Sequence, residues 1–200
     1  MPFIAPIVEG HGEVEAVPIL LRRIARYVGI TEPLRINPPI RVKSSAFLNT
    51  RDDRDFRRYV NAAALKAVQE KGKVLIVLDC DDSDTCPAKL GPSLLSRAKN
   101  VRSDVDYLVV LARREYESWF IAAAESLRGF CGLPLDLSTP MDTSGIRDAK
   151  GWLGKRMDAA HGPYDPITHQ ADFTRRFDLE QARSNDSFDR MLRRLTIFLR

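Results

Sequence analysis

The sequence is poor in the features that mark secreted and membrane proteins. It has three cysteines in 200 residues, and their spacing does not match a zinc site. No apolar run approaches the ~20 residues that a membrane helix needs, and the first residues do not form a basic and then apolar leader. We therefore expect a cytoplasmic protein with reduced thiols and no membrane partner.

Two nucleotide-binding signatures are also missing. Gly10-x-Gly12 is not a dinucleotide-binding turn, because an acid replaces the third glycine. The P-loop pattern Gly-x-x-x-x-Gly-Lys-[Ser/Thr] occurs nowhere in the chain. A phosphate at this turn would meet the carboxylates of Glu9 and Glu13, so a bridging cation is expected there. The net charge of +4 and the pI of about 9.1 are compatible with nucleic acid but do not identify it.

The most informative stretch is an apolar run that leads directly into acids. Residues 74–78 read Val-Leu-Ile-Val-Leu and are followed by Asp79-Cys80-Asp81-Asp82. Such a short run predicts a strand buried on both faces of a parallel sheet, whose carboxyl end is where ligands bind. Asp79 and Asp81 would point to the same side, and two close carboxylates favour a cation such as Mg²⁺. The alternative is a structural turn, because Asp is also common in turns.

A second acidic turn follows the first predicted strand. Phe3–Val8 leads into Glu9-Gly10-His11-Gly12-Glu13, and helical spacing then begins at Val14 and continues to Val28. Glu9 would therefore also lie at a carboxyl end. Pro6 lies inside this strand and predicts either an edge position or a distorted strand.

The remaining pattern predicts an α/β fold with a central parallel sheet flanked by helices and with extra C-terminal helices. In the common strand order 2-1-3-4, the first and third strands are neighbours. Glu9 and Asp79 would then end side by side, with Asp81 close. The other predicted strands are 40–43 and 106–112, and the other predicted helices are 54–71, 93–100, 115–127, 147–159, 167–177 and 187–199.

Two groups of arginines are candidates for phosphate contacts. Between Arg41 and Lys73 there are nine Lys/Arg and four Asp/Glu; this predicts either a phosphate-binding surface or a solvated helix face. Its candidates are Arg54, Arg57 and Arg58. Arg113 and Arg114 follow the last predicted strand and could bind phosphate or pair with Glu115 and Glu117.

These motifs resemble the Toprim domain of topoisomerases, primases and small nucleases. The resemblance rests on Glu9-Gly10-x-x-Glu13 and Asp79-x-Asp81. The first turn is most similar to that of the overcoming-lysogenisation-defect (OLD) nucleases, and Glu117-Ser118-Trp119 is similar to the Glu-x-Trp of RloB-type relatives. The whole chain looks like a standalone Toprim-like bacterial family often encoded near ATPase genes in defence loci. We expect a Toprim-like α/β domain over residues 1–130 and a helical extension over 131–200 packed on it.

The resemblance implies a set of site residues. Glu9, Asp79 and Asp81 would be catalytic, with Asp79 and Asp81 holding Mg²⁺ (or Mn²⁺) and Glu9 acting as an acid–base group or metal ligand. Glu13 and Glu117 would be further metal ligands, able to hold a second ion. We predict that Glu117, not Glu115, points to the centre, because Glu117 matches the family pattern and because helix residues two apart face apart.

The expected function is a Mg²⁺-dependent phosphodiesterase acting on DNA or RNA, in a bacterial defence or DNA-processing system with an ATPase partner. Two alternatives remain open from the sequence. The chain could be a non-catalytic metal- or nucleic-acid-binding module that regulates an ATPase complex, or a phosphoryl-transfer domain acting on a small nucleotide.

Overall fold

The architecture is described by a computed structural model that covers residues 2–80, 86–143 and 145–200. The strands are β1 (Phe3–Val8), β2 (Arg35–Ile36), β3 (Ile40–Arg41), β4 (Lys73–Cys80) and β5 (Asp106–Arg113). The helices are α1 (Glu13–Tyr27), α2 (Ser44–Phe47), α3 (Arg54–Gln69), α4 (Pro87–Val101), α5 (Ser118–Ala122), α6 (Ala149–Gly154), α7 (Pro166–Arg176), α8 (Leu179–Ala182) and α9 (Asp186–Phe198). Short 3-10 helices span Ala124–Leu127 and Phe130–Gly132.

The five strands form one parallel sheet in the order β2-β1-β4-β5, and β3 also pairs with β1. The predicted fold class is confirmed, and so is the adjacency of β1 and β4. In their register Val8 lies opposite Val77, so both strands end at the same edge of the sheet. This adjacency brings the acids that follow β1 close to the end of β4.

Pro6 does not mark an edge strand, because β1 lies inside the sheet. On one side Pro6 is paired with Leu75 of β4. On the other side β2 pairs with residues 3–4 and β3 with residues 7–8. The break between β2 and β3 thus falls opposite Pro6, which has no N–H to donate to a ladder. The sheet accommodates the proline because the neighbouring chain segment is interrupted between β2 and β3.

Two hydrophobic clusters cover the two faces of the sheet. Alternate side chains of β4 supply both, with Leu75 and Val77 in one cluster and Val74, Ile76 and Leu78 in the other. The first cluster contains α1 and the C-terminal helices, and the second contains α3 and α4. The central strand β4 is buried on both faces, which explains why its sequence is a continuous apolar run.

The C-terminal helices pack on α1 and share the first cluster with it. The half-buried guanidinium of Arg23 in α1 donates to the carbonyls of Thr174 and Phe177, at 2.6 and 2.7 Å, where α7 ends. Those carbonyls have no helical donor of their own, so the arginine caps the helix. This contact ties the C-terminal end of α7 to α1.

Several predicted helix boundaries were wrong. Helix α4 begins at Pro87, not Ser93, because proline suits the first turn of a helix, and Gly91 and Pro92 lie inside it. Helix α5 covers only Ser118–Ala122 of the predicted 115–127, and α6 covers Ala149–Gly154 of the predicted 147–159. Among the residues that the structure describes, no helix has the length and apolar character to cross a membrane.

Candidate metal centre

The turn after β1 is closed by Glu13, the first residue of α1. Its Oε2 accepts hydrogen bonds from the backbone N–H of Glu9, at 3.0 Å, and of Gly10, at 3.3 Å. Glu13 is buried, and only 2% of its surface is exposed. A carboxylate that binds amides at a helix start is also favoured by the helix dipole, so this acid has a structural task.

Gly12 allows α7 to approach this turn closely. A Cβ at this position would lie 2.2 Å from Oε1 of Gln170 and 2.3 Å from the carbonyl oxygen of Pro166. No real Cβ tolerates such distances to a backbone atom. Glycine is therefore required here by packing, and the close approach puts Gln170 at the acidic turn.

Asp79 lies at the end of β4 and contacts both neighbouring segments. Its backbone N–H donates to Oε2 of Glu9 over 3.2 Å. Its own Oδ1 accepts from the N–H of Tyr116 over 2.9 Å. The structure thus brings Glu9 and Asp79 together, as the strand order predicted. Asp81, the second acid of the motif, lies outside the described residues.

Glu117 is fully buried and points to the same place. Its Oε1 accepts from the Tyr164 hydroxyl at 3.1 Å and from Nε2 of Gln170 at 3.2 Å. Its Oε2 has no hydrogen-bond partner in the described part of the chain, and neither has Oε1 of Gln170. Glu117 precedes α5 as its N-cap residue, so the expectation that Glu115 and Glu117 lie on opposite faces of one helix was wrong. The match of Glu117 to the family pattern was the other reason for preferring it. The position of Glu117 at the centre agrees with the prediction.

Glu115 binds the start of α6 instead. Its Oε2 accepts from the backbone N–H of Ala149, at 2.6 Å, and its Oε1 pairs with Nζ of Lys150 at 2.7 Å. The same ammonium is 3.5 Å from Oε2 of Glu117 and 3.8 Å from Oδ2 of Asp79. One lysine therefore joins three carboxylates from two different chain segments.

These groups border a pocket of about 330 Å³. It is lined on one side by the acidic turn and the end of β4, and on the other by Lys150 and the first turns of α7. His11 and Ile167 stand at its exposed parts. The pocket is large enough for a small ligand or for part of a longer one.

Burial and mutual repulsion make the carboxyls hard to ionise. Burial is the main reason that the pKa of Glu13 rises to about 7, and the charges of Glu117 and Glu9 add to it. Burial, then Glu13 and Glu117, raise the pKa of Asp79 well above its usual range, and burial also raises the pKa of Glu117. Burial opposes the charge of Lys150, but the surrounding carboxylates outweigh it and raise its pKa. A cluster of this kind favours an added cation.

The donor atoms fit a hard cation, but their arrangement is not a finished ligand shell. Carboxylate and amide oxygens are what Mg²⁺ and Mn²⁺ bind. Yet in the ranges 2–80, 86–143 and 145–200 no group of three or more His, Cys, Asp or Glu is arranged to hold a metal ion. Glu13 faces backbone amides, Glu115 binds the start of α6, and Oε1 of Glu117 accepts from Tyr164. The metal roles of Glu9, Glu13, Asp79, Asp81 and Glu117 stay predictions.

The arginines predicted to bind nucleic acid lie at separate places. Arg54 and Arg57 pair with Asp52 and Asp53, at 2.6 and 2.7 Å, at the start of α3. We call Arg54, Arg57 and Arg58 the α3 arginines. All three are exposed. Because α3 ends close to where β4 begins, the start of α3 lies near the edge of the sheet at which β4 ends.

Arg113 and Arg114 do not pair with Glu115 or Glu117 among the described contacts. Arg113 is exposed and lines a second pocket, of about 510 Å³, together with Arg190 and Arg194 of α9. Arg114 has a left-handed backbone with φ of 68°, and its guanidinium donates to the carbonyl of Gly145 over 3.4 Å. Their predicted role in phosphate binding stays a prediction.

Sequence reasoning missed the groups that the C-terminal part supplies to the centre. They are Lys150, Tyr164 and Gln170. A lysine in Asp148-Ala149-Lys150 and a glutamine in a helix give no local signal. Only the folded structure, in which α6 and α7 dock beside the acidic turns, identifies them.

The comparisons with known proteins identify a family but no activity. The chain matches the family model described as Domain of unknown function (DUF4276) over residues 8–196. It therefore belongs to this family. No curated protein and no solved structure matches it.

Proposed function

We propose that this member of the DUF4276 family is a Mg²⁺- or Mn²⁺-dependent phosphodiesterase of the Toprim type that cleaves DNA or RNA. The observation that carries the proposal is the meeting of Glu9 and Asp79 at the ends of neighbouring parallel strands, linked by a 3.2 Å hydrogen bond. Burial raises the pKa of Asp79 and of two neighbouring carboxyls, those of Glu13 and Glu117. Perturbed acids in a pocket at the carboxyl edge of an α/β sheet are the usual setting of a functional site.

The residues have distinct tasks under this proposal. Glu9 and Asp79, with Asp81, hold the metal, and the metal supplies charge neutralisation at the phosphoryl oxygens. Glu13 holds the turn between β1 and α1 by accepting hydrogen bonds from the backbone N–H groups of Glu9 and Gly10. The hydrogen bonds from Tyr164 and Gln170 hold Glu117 in one orientation at the buried side of the pocket.

Basic side chains near the same edge fit a phosphodiester substrate. The α3 arginines are exposed at the start of α3, and Arg113 follows Ala112, which pairs with Asp79 in the sheet. Contacts of arginine with phosphate position a nucleic acid without reading its sequence. We include an ATPase partner and a role in bacterial defence in the proposal, on the Toprim-like resemblance alone.

The test is a cleavage assay with purified protein. Plasmid, single-stranded DNA and RNA are incubated with Mg²⁺ or Mn²⁺, with and without an added ATPase of the kind that accompanies Toprim-like defence proteins. We expect metal-dependent cleavage that Asp79→Asn abolishes. Cleavage that is equal in the variant, or that persists in EDTA, contradicts the proposal.

One observation favours a second candidate, a non-catalytic regulatory module of an ATPase complex. Lys150 already neutralises part of the carboxylate cluster without any metal, so the fold is able to hold these acids for structural reasons. Metal-independent binding to the ATPase, with no cleavage by the complex, would support this candidate instead.

A further inference from the structure

The carboxylates of the candidate metal centre fall into two groups that share Asp79. On one side Glu9 and Glu13 are tied to each other and to Asp79 through backbone amides. On the other side Glu115 and Glu117 lie with Asp79 around the ammonium of Lys150. In the described ranges the ion pairs of Lys150 include neither Glu9 nor Glu13.

Lys150 is held where a helix does not favour it. It lies in the first turn of α6, where a positive side chain opposes the helix dipole. Glu115 compensates for this, because its carboxylate accepts from the N–H groups of Ala149 and Lys150, at 2.6 and 3.3 Å, and also from the Lys150 ammonium. The carboxylates therefore fix both the start of the helix and the position of the charge.

A buried carboxylate oxygen needs this cation. Oε2 of Glu117 is buried, and the described residues offer it no hydrogen-bond partner. The ammonium of Lys150, at 3.5 Å, is the opposite charge that faces it. An isolated buried carboxylate is costly to keep charged, so a cation is required at this side of the cluster, and the chain supplies its own.

We propose that Lys150 is the second cation of the centre, and that the centre binds one divalent ion rather than two. The divalent ion is bound on the side of Glu9 and Asp79, while the ammonium occupies the side of Glu115 and Glu117. A second divalent ion would have to enter against a positive charge that lies within 4 Å of its would-be ligands. The inference rests on the proposed function, and it departs from the two-ion arrangement that the Toprim resemblance allows.

The experiment counts bound Mn²⁺ in the full-length chain. Titration calorimetry gives the number of ions, and electron paramagnetic resonance shows whether two Mn²⁺ ions lie close enough to couple. We expect one uncoupled Mn²⁺ per chain in the wild type and two coupled ions in Lys150→Met. Lys150→Arg, which keeps the charge, and Lys155→Met, which removes an exposed lysine after the same helix, should each bind one.

Each other outcome counts against the proposal. Two Mn²⁺ ions bound to the wild type overturn the proposal. This test needs no variant, so it decides even if the Lys150→Met protein does not fold. One ion in a folded Lys150→Met overturns it and leaves the proposed function standing. If the wild type binds no Mn²⁺, both the inference and the proposed function fail.

Discussion

The raised pKa of Glu13 predicts that the metal-free protein loses stability as the pH rises from 5 to 8. The folded-state pKa of about 7 lies above the ordinary value of 4.5. The folded state therefore binds a proton that the unfolded state has released, and the stabilisation is present at low pH and is lost as the pH rises through 7. For this shift, linkage gives a loss of about 2.5 kcal/mol between pH 5 and pH 8.

The assay is urea unfolding in EDTA at several pH values. Asp79 and Glu117, whose pKa values are also raised, should add to the loss in the wild type. Glu13→Gln mimics the protonated acid and can still accept from the amides of Glu9 and Gly10, so its loss should be smaller by about 2.5 kcal/mol. Glu15→Gln, at an exposed position of the same helix, should behave like the wild type. A wild-type stability that is flat or rises over this range would refute the electrostatic reasoning.

Two further predictions concern packing and nucleic-acid binding. Gly12→Ala should destabilise the fold by ~1–3 kcal/mol in the urea unfolding assay, because its Cβ would overlap the Pro166 carbonyl. The control, Gly10→Ala, should be nearly neutral, because its Cβ meets nothing closer than 3.5 Å. Equal effects of the two substitutions would contradict the packing argument. Replacing all three α3 arginines with alanine should weaken binding of labelled DNA or RNA and lower the salt dependence by up to ~0.9 per lost phosphate contact, as measured by fluorescence anisotropy. Lys66→Ala, at the other end of α3, serves as the control, and unchanged binding by the triple variant would mean that the arginines form a solvated helix face.

The meeting of Glu9 and Asp79 could be predicted because it depends on few rules. A continuous apolar run identifies the central strand, and parallel strands release their chain at one edge. Val74–Leu78 and Phe3–Val8 each satisfy these rules, so the acids after them had to meet once the strands were neighbours. The sheet order followed from the same alternation of strands and helices.

The other half of the centre could not be predicted, because it depends on how the C-terminal helices dock. Gln170 reaches the acids because α7 packs on the glycine turn, and Lys150 reaches them because Glu115 binds the start of α6. The periodicity of the sequence predicts that such residues lie on a helix, but it does not predict which residues they contact. Pro6 shows the same limit, since its meaning depended on a gap between β2 and β3 that only the assembled sheet contains.

The most direct test of the central claim, that this carboxylate pocket is a metal centre, is thermal unfolding with and without Mn²⁺. Ion present at 100 times its dissociation constant stabilises the folded state by about 2.7 kcal/mol, which for a chain of this size raises Tm by ~5–10 °C. We expect this rise in the wild type and in Asp106→Asn, an exposed strand aspartate at the far end of the sheet. Asp79→Asn should fold with equal or higher metal-free stability and show no rise. No response of the wild type to millimolar Mn²⁺ or Mg²⁺, or an equal response of Asp79→Asn, would contradict the claim.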